Sequence, residues 1–531
     1  MRPLRTQFIC AQCRLIKPRS TRVFPRSISR LYSNSASNSK PEADDVLYQR
    51  QQRPTTAPRP IIDIKSIRTS PDIYAQNCLE RNYKAQASYP ARIKTLFEEW
   101  QGHQAQARKL RERSNEIRRE IANPATIQHE DEARGTEETN DVRKMTKEQL
   151  LAEARQLKAS LSGIEEAESN IQNTMTDLAL AIPNTTSPST PIGTEPEVLS
   201  YINEAHPALT SSSTDRIWRS HVHIGSELGI LDFAAAAKTS GWGWYYLLDE
   251  GAQLEQALIQ YVLAAVTRVP GWRQVAPPSL VYSHIASACG FQPRDTNGET
   301  QIYALAQSPD DKSRGKPELS LAGTAEIPLA GMKSDTIMES SELPAKRVGV
   351  SRCYRAEAGA RGAETKGLYR VHEFTKVEMF AWTHPDHDAT EDVFDEMVDI
   401  QTEILSSLGL HCRVLEMPST DLGASAYRKI DIEAFFPSRA AQGLNEGWGE
   451  VTSASICTDY QSRRLGTRLR GDGGKGMDFP WTVNGTAIAI PRVLAAVLEN
   501  GWVEDEGYVN VPECLRPWMD GLERIEMRHK S

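Results

Sequence analysis

RCYRAEAGARGAETKGLYRVHEFTKVE, residues 352–378, reads as a strand, a long Gly-rich turn and a returning strand. Arg355 and Glu357 alternate before the turn; Arg370, His372, Phe374, Lys376 and Glu378 alternate after it. A period of two puts the second set on one face of a strand. A solvated hairpin shows the same alternation, because antiparallel sheets often keep one polar face. That reading accounts for the charges, but not for an Arg-x-Glu set against an aromatic and a second acid across the turn. On this stretch alone both readings stand.

Other stretches favour the functional one. Thr324-Ala325-Glu326 lies upstream, GEVTSASICTDYQSRR (449–464) downstream, and VNGTAIAIPRVLAAVLEN (483–500) near the end. QALIQYVLAAV (256–266) followed by VAPPSLV (275–281) precedes them all. This set, in this order, resembles the seryl-tRNA synthetases, a family of class II aminoacyl-tRNA synthetases. The hairpin of Arg355 resembles motif 2 of that class, and Asn484 to Arg492, entering a helix, resembles motif 3. Residues 256–281 are similar to motif 1, with Pro278 as its marker proline. IIDIKSIRTSP (61–71), HVHIGSELGILDF (221–233) and GAQLEQAL (251–258) extend the resemblance over most of residues 60–505. It implies an α+β fold, an antiparallel sheet flanked by helices, with an N-terminal antiparallel coiled-coil arm. No Gly-x-Gly-x-x-Gly follows a strand and there is no P-loop lysine motif, so nucleotide binding falls to the class II sheet.

Composition sets bounds on this reading. A chain of 531 residues buries at least one large core and has two or three domains as its natural expectation. The formal net charge is −8, so any nucleic-acid surface has to concentrate its cations locally. Eight scattered cysteines do not make a disulfide scaffold. Cys10 and Cys13 form a CxxC with no second pair at zinc-site spacing, and no zinc is expected. Cys353 and Cys457 read as packing near the site. The first 41 residues carry Arg2, Arg5, Arg14, Arg19, Arg22 and Arg26, several serines and no acid, the signature of an organelle transit peptide. A disordered basic arm touching RNA is the alternative. Arg30-Leu31-Tyr32-Ser33 resembles a mitochondrial processing site, so the expected location is the mitochondrial matrix. No apolar run is long enough to span a membrane. The expected division is a transit peptide (1–32), a linker (33–60), an N-terminal tRNA-binding domain (61–185) and a catalytic domain (186–531).

Two helical seams lie in the N-terminal domain. One runs Ile93, Leu96, Trp100, His103, Ala107, Leu110, Ser114, Ile117, Ile121; the other runs from Leu150 through Leu157, Ile164, Glu168 and Met175 to Ile182. Matching seams joined by a polar stretch describe an antiparallel coiled-coil hairpin, bounded by Pro124 and Pro183. His103, Ser114 and Glu168 weaken the seam and are expected to fix its register. PNTTSPST (183–190) reads as a linker into the second domain. The first helix carries Arg108, Lys109, Arg111, Arg118 and Arg119. Solvated helix flanks commonly carry such charge, and Glu112, Glu116 and Glu120 offer partners. The resemblance assigns them to tRNA(Ser), whose long variable arm the family holds here. Because the joining stretch 123–144 is acidic, RNA contact is expected along the helix faces and not at the tip.

The remaining roles come from the resemblance. Activation is attack of an amino-acid carboxylate on the α-phosphorus of ATP, between two anions, and it needs fixed cations and Mg²⁺ more than a general base. Arg355 is expected to bridge the α-phosphate and the carboxylate of L-serine, with its planar fork, and Arg492 to hold the far phosphates. Glu450 and Ser453 match the Mg²⁺- and ATP-contacting pair, with Val451 and Thr452 between them. Phe374, otherwise an ordinary core aromatic, would stack on adenine, with Ala356, Glu357, Glu373 and the backbone of Val371 and His372 around it. Thr324, Ala325, Glu326, Glu378 and Thr486 match the serine pocket, and Arg355 completes it. A pocket that bonds the substrate hydroxyl rejects the analogue lacking it by roughly 10⁴-fold. Three positions depart from the pattern: Ile456 where asparagine is common, Glu373 where glutamine is frequent, and Pro491 before Arg492. The family is homodimeric. Two other readings are a catalytically silent RNA-binding paralogue, expected to have lost Arg355, Glu450 or Arg492, and a carrier-protein ligase, which lacks the long arm.

Overall fold

The computed structural model describes residues 57–122, 142, 145–204, 219–291, 301–356, 367–440, 444–471 and 476–527. The Arg-rich start, the CxxC, Glu357 and most of the joining stretch lie outside the described residues.

The N-terminal part is helical. Helix α1 (Ile64–Thr69) is capped by Asp63, whose carboxylate accepts from the Ser66 N–H at 2.9 Å. Helix α2 (Pro71–Glu80) starts on a proline, where no N–H is needed. Two long helices follow, α3 (Tyr89–Ala122) and α4 (Lys147–Ala181). Thr146 and Gln149 form a reciprocal capping box that starts α4. At 1.5 Å per residue each helix is about 50 Å long. Ile67, Cys78, Ile93, Leu178 and Ile182 form an apolar knot at the root, and Ile117, Leu150 and Leu157 form another far along the arm. Of the residues expected to fix register, Glu168 makes a cross-arm bond. Glu168 is buried and accepts from the Gln104 amide at 2.7 Å, and Arg113 pairs with Glu153 at 2.8 Å. Among the described residues no hydrogen bond or ion pair joins His103 or Ser114 across the seam, and the crossing bonds come from their neighbours Gln104 and Arg113.

The second part is built on one large sheet. Its strands are β1 (Glu197–Ile202), β2 (Arg273–Val275), β3 (Ala345–Tyr354), β4 (Glu373–Thr383), β5 (Cys412–Glu416), β6 (Arg428–Phe435), β7 (Trp448–Thr458) and β8 (Trp481–Ala489). They lie in the order β1-β5-β6-β7-β8-β4-β3-β2. Neighbours are antiparallel except at one edge, where β2 runs parallel to β3. That pair needs a long crossover, and residues 276–344 supply it.

Strand β4 shows how the sheet divides its labour. Thr375, Val377 and Met379 face helices α5 (Asp249–Arg268), α6 (His387–Ser407) and α7 (Ile490–Gly501), whose Leu258, Val262, Phe394, Ile404 and Leu494 share the main core. Phe374, Lys376 and Glu378 point the other way, followed by Phe380 and Trp382 under a second apolar cluster with Ala325, Ile327 and Leu465. Both faces are buried, so this is no solvated hairpin. The five-residue alternation expected after the turn is shorter than read. The strand begins at Glu373, whereas Gly367, with φ of +72°, turns the chain and leaves Arg370 and His372 ahead of the ladder.

The two parts are bolted together where a linker was expected. Arg81 is 1% exposed, and its guanidinium donates to the carbonyls of Asn184 (2.8 Å), Thr185 (3.3 Å), Ala426 (2.8 Å) and Gly423 (2.5 Å). The Asn184 amide in turn donates to the carbonyls of Ser425 and Cys457, both at 2.9 Å. Arg464, on the short helix Tyr460–Leu465, donates to the carbonyls of Leu180 (3.2 Å) and Ile182 (3.4 Å). It thereby satisfies acceptors that the end of α4 leaves open.

Candidate active site

Midway along its polar face, β4 meets β8 at a bulge. Glu378 lies opposite Thr486, and the register slips between Thr486 and Ile488. The slip takes the Thr486 carbonyl off the ladder, where the Thr452 hydroxyl and the Gln401 amide donate to it. Gln401, on α6 and fully buried, also reaches the Ser453 carbonyl at 2.8 Å. This staple aligns β7 and β8 beneath the site.

Two carboxylates line one end of the site. Glu378, 1% exposed, accepts from Lys376 Nζ at 2.7 Å and from the Thr486 hydroxyl at 3.1 Å. Lys376 also donates to Thr486 Oγ1 at 3.2 Å, closing a triangle. Glu326 opens the short helix Glu326–Gly331 and accepts from Gln461 at 2.6 Å and Asn484 at 3.1 Å. The Thr324 hydroxyl accepts from the Glu326 N–H at 3.3 Å, and Ala325 packs in the apolar cluster below. Burial, then the nearby Glu378, pushes the Glu326 carboxyl up to about 7. This end offers two acids, one partly protonated near neutrality, with hydroxyls between them.

Cations line the other end. Arg355, Tyr369, Arg370, Val371, Phe374, Ala489, Pro491 and Arg492 surround a pocket. The Arg355 guanidinium sits over the Phe374 ring, 5.3 Å from its centroid, and has no carboxylate partner among the described residues. Arg492 is held by Glu450 Oε2 at 3.1 Å and by the Glu450 and Tyr369 carbonyls at 3.1 and 3.2 Å. Burial opposes the charge on Glu450, but Arg492, Lys429 and Arg355 outweigh it and hold its carboxyl down at about 2. On the adjacent strand, Asp431 lies opposite Ser453 and pairs with Lys429 at 2.7 Å. Burial raises the Asp431 carboxyl to about 7. Glu450 and Ser453 thus supply hard oxygen donors, one permanently anionic, which suit Mg²⁺. No group of three or more His, Cys, Asp or Glu that could hold a metal occurs among the described residues.

Some expected contacts turn away. His372 accepts or donates at Nδ1 with the Tyr303 hydroxyl at 2.9 Å and stacks on Trp244 at 5.8 Å, while its N–H and carbonyl are taken by Gly243 and Arg355. Glu373 faces Tyr354 (3.3 Å) and Arg352 (3.9 Å) on the far side of the strand. Period two requires this, since Phe374 beside it faces the pocket. The Val451 side chain is in the main core, and only its backbone is near the site. Ile456 is likewise buried core. Pro491 is tolerated because it opens α7, and Ala356 follows Arg355 with its N–H on the Gln301 carbonyl at 3.1 Å. Cys353 packs with Val371 and Phe374, and Cys457 lies 3.4 Å from the Asn484 amide.

Sequence reasoning missed Asn484, Gln461, Lys429, Asp431 and any role for Lys376. The Lys-x-Asp alternation in β6 was the available signal. It also missed His221, whose Nδ1–H meets Glu499 at 2.8 Å while Nε2 accepts the Leu368 N–H at 3.0 Å. A Cβ on Gly367 would fall 2.3 Å from that ring, so the return leg of the hairpin is clamped there.

A sheet of this order, with an arginine on a hairpin, another opening the last helix, and acids between them, defines a class II aminoacyl-tRNA synthetase. The model of the tRNA synthetase class II core domain (G, H, P, S and T) matches residues 308–501, and that of the seryl-tRNA synthetase N-terminal domain matches residues 61–186. A mitochondrial serine–tRNA ligase of Schizosaccharomyces pombe is 39% identical over 461 residues, 86% of this chain and 88% of the relative. That of Saccharomyces cerevisiae is 43% identical over 371 residues, 70% of this chain and 78% of the relative. Among solved structures, the seryl-tRNA synthetase of Pyrococcus horikoshii complexed with ATP superposes with a TM-score of 0.74 at 29% identity, covering 88% of this chain and 100% of that one. The chain belongs to the seryl-tRNA synthetase family.

Proposed function

We propose that this chain, a serine–tRNA ligase by family, joins L-serine to ATP as seryl-adenylate and passes the seryl group to tRNA(Ser) in the mitochondrial matrix. The observation that carries the mechanism is Arg355. It is a guanidinium without a carboxylate partner among the described residues, set on the hairpin that borders both the acid-lined end and the pocket of Arg492. The serine ammonium goes to Glu326 and Glu378, its hydroxyl to Thr486 and Thr324, and its carboxylate to Arg355. Adenine stacks on Phe374, and Arg492 holds the far phosphates. The carboxylate oxygen attacks the α-phosphorus and pyrophosphate leaves, with the growing negative charge met by fixed guanidinium donors. Glu450 and Ser453 would hold Mg²⁺, which when bound neutralises phosphate charge. Nothing in this chemistry calls for zinc.

The transfer step needs tRNA held at a distance, and the basic arm of α3 and α4 serves the variable arm. A homodimer is supported by an open groove beside the edge strand β2, where Gln256, Gln260, Leu263 and Gln274 of the motif-1-like segment meet Val350 and Arg352 of β3. The mitochondrial address is supported by the Arg-rich, acid-free start and by the mitochondrial relatives. No helix of the described residues is long and apolar enough to cross a membrane. The test is ATP–pyrophosphate exchange with each amino acid in turn, followed by charging of mitochondrial tRNA. Exchange with serine alone supports the reading. Exchange with another amino acid, or none with serine, overturns it.

A further inference from the structure

The arm has two flanks, and they differ in charge. Two ion pairs identify which residues share a side. Arg111 and Glu165 meet at 3.2 Å, and each immediately follows a seam residue, Leu110 and Ile164. Arg113 and Glu153 meet at 2.8 Å, and each immediately precedes one, Ser114 and Ala154. In an antiparallel pair, followers therefore face followers and preceders face preceders.

Sorting the far half of the arm by this rule separates its charges. The follower flank carries Arg108, Arg111 and Arg118 from α3, joined by Arg155 and Lys158 from α4. All five are exposed, and only Arg111 has a carboxylate partner among the described residues. The preceder flank carries Arg113 and Lys109 against Glu116, Glu120 and Glu153. Arg113 is already committed to Glu153 and Glu116. Arg119 lies on the outer side of α3, away from both. A chain of net charge −8 thus concentrates cations on one side of one element.

We infer that the follower flank alone is the RNA-binding side of the arm, and that Arg155 and Lys158 of α4 are phosphate contacts alongside Arg108, Arg111 and Arg118. Lys109 and Arg119 then lie off the interface. The inference rests on the reading that the arm holds tRNA, and it adds the side and the second helix. Ten residues from Arg108 to Arg118 span about 15 Å, enough for several consecutive phosphates. Arginine and lysine there position the polyanion without reading its bases.

The test uses two double variants of the full-length protein, Arg155→Ala with Lys158→Ala, and Lys109→Ala with Arg119→Ala. All four positions are exposed, and alanine keeps the helix. Serine-dependent pyrophosphate exchange reports that each variant is folded and competent. The α4 variant is expected to raise the KM for tRNA about tenfold. It should also lower the slope of log affinity against log salt by roughly 0.7–0.9 per lost contact, or about 1.5 in total. The Lys109/Arg119 variant is expected to stay within about twofold of the parent in both. The reverse pattern overturns the flank assignment while leaving tRNA binding by the arm intact. If neither variant nor Arg108→Ala with Arg118→Ala affects tRNA charging, the arm is not the RNA-binding element and both readings fall.

Discussion

On the proposed reading Arg355 is the residue on which the chemistry turns, because its charge has no carboxylate partner among the described residues. Arg355→Ala should lower serine-dependent pyrophosphate exchange by on the order of 10²–10³-fold, the scale for losing one preorganised charge donor. The thermal unfolding midpoint should stay unchanged; near-normal exchange by the folded variant would remove the assignment. Glu326 makes a second prediction. Burial raises its carboxyl to about 7, so below that pH a proton competes with the serine ammonium. The sign follows from the proposed role: if ionised Glu326 binds the cation, the serine KM should climb by up to about tenfold per unit of pH lost below 7 and level off above it. Glu326→Gln should raise KM and flatten that profile, and a profile as steep as the parent's would place the titration elsewhere. Glu378→Gln, which disturbs the triangle with Lys376 and Thr486, should raise the serine KM more than the ATP KM. Most of these residues were visible in the sequence because motif order carries them. Gln461 and Asn484 were not, since their bonds to Glu326 span 135 and 158 residues and leave no periodic trace. Lys429 and Asp431 hid inside an ordinary-looking strand.

At the scale of elements, the seams of α3 and α4 were legible because a 3-4 spacing over many turns admits few other readings. The edge strand β2 was not, because three residues of sheet beside a long crossover show no pattern. Register was read at Glu168 but not at Arg113 and Glu153, for a related reason: the spacing locates a seam but does not say which flanking side chains reach across it. The arm and sheet have separate cores, and the bonds of Arg81, Asn184 and Arg464 join them at the root. Replacing residues 101–172 by a short Gly/Ser loop keeps Ile93 and Leu178 in the root cluster. Seryl-adenylate formation should then stay within a few-fold of the parent while tRNA charging falls sharply. Parallel loss of both activities would mean the arm supports the catalytic domain itself. Gln401 offers a contrasting element-level test. Gln401→Leu strips a buried donor from two strand carbonyls and should cost about 1–3 kcal/mol of stability, read by denaturant unfolding.

The whole molecule depends on how the arm is mounted. Arg464 lies three residues past Gln461, which touches Glu326, and it holds the carbonyls that end α4. Arg464→Ala should therefore leave adenylate formation within a few-fold yet slow charging of tRNA by roughly tenfold or more, since small errors of placement carry large kinetic costs. Equal effects on both steps would make Arg464 a stabiliser of the pocket. Viewed mechanically, the arm is a lever. Over about 50 Å, one degree of rotation at the root carries the tip by about 0.9 Å, and ten degrees would carry it past a whole phosphate. A hinge of ordinary loop residues allows that much play. Arg81, sealed from water and tied to carbonyls on both sides of the joint, removes it. The aim of the lever is thus set at its fulcrum, so on the proposed reading the arm meets tRNA already aimed.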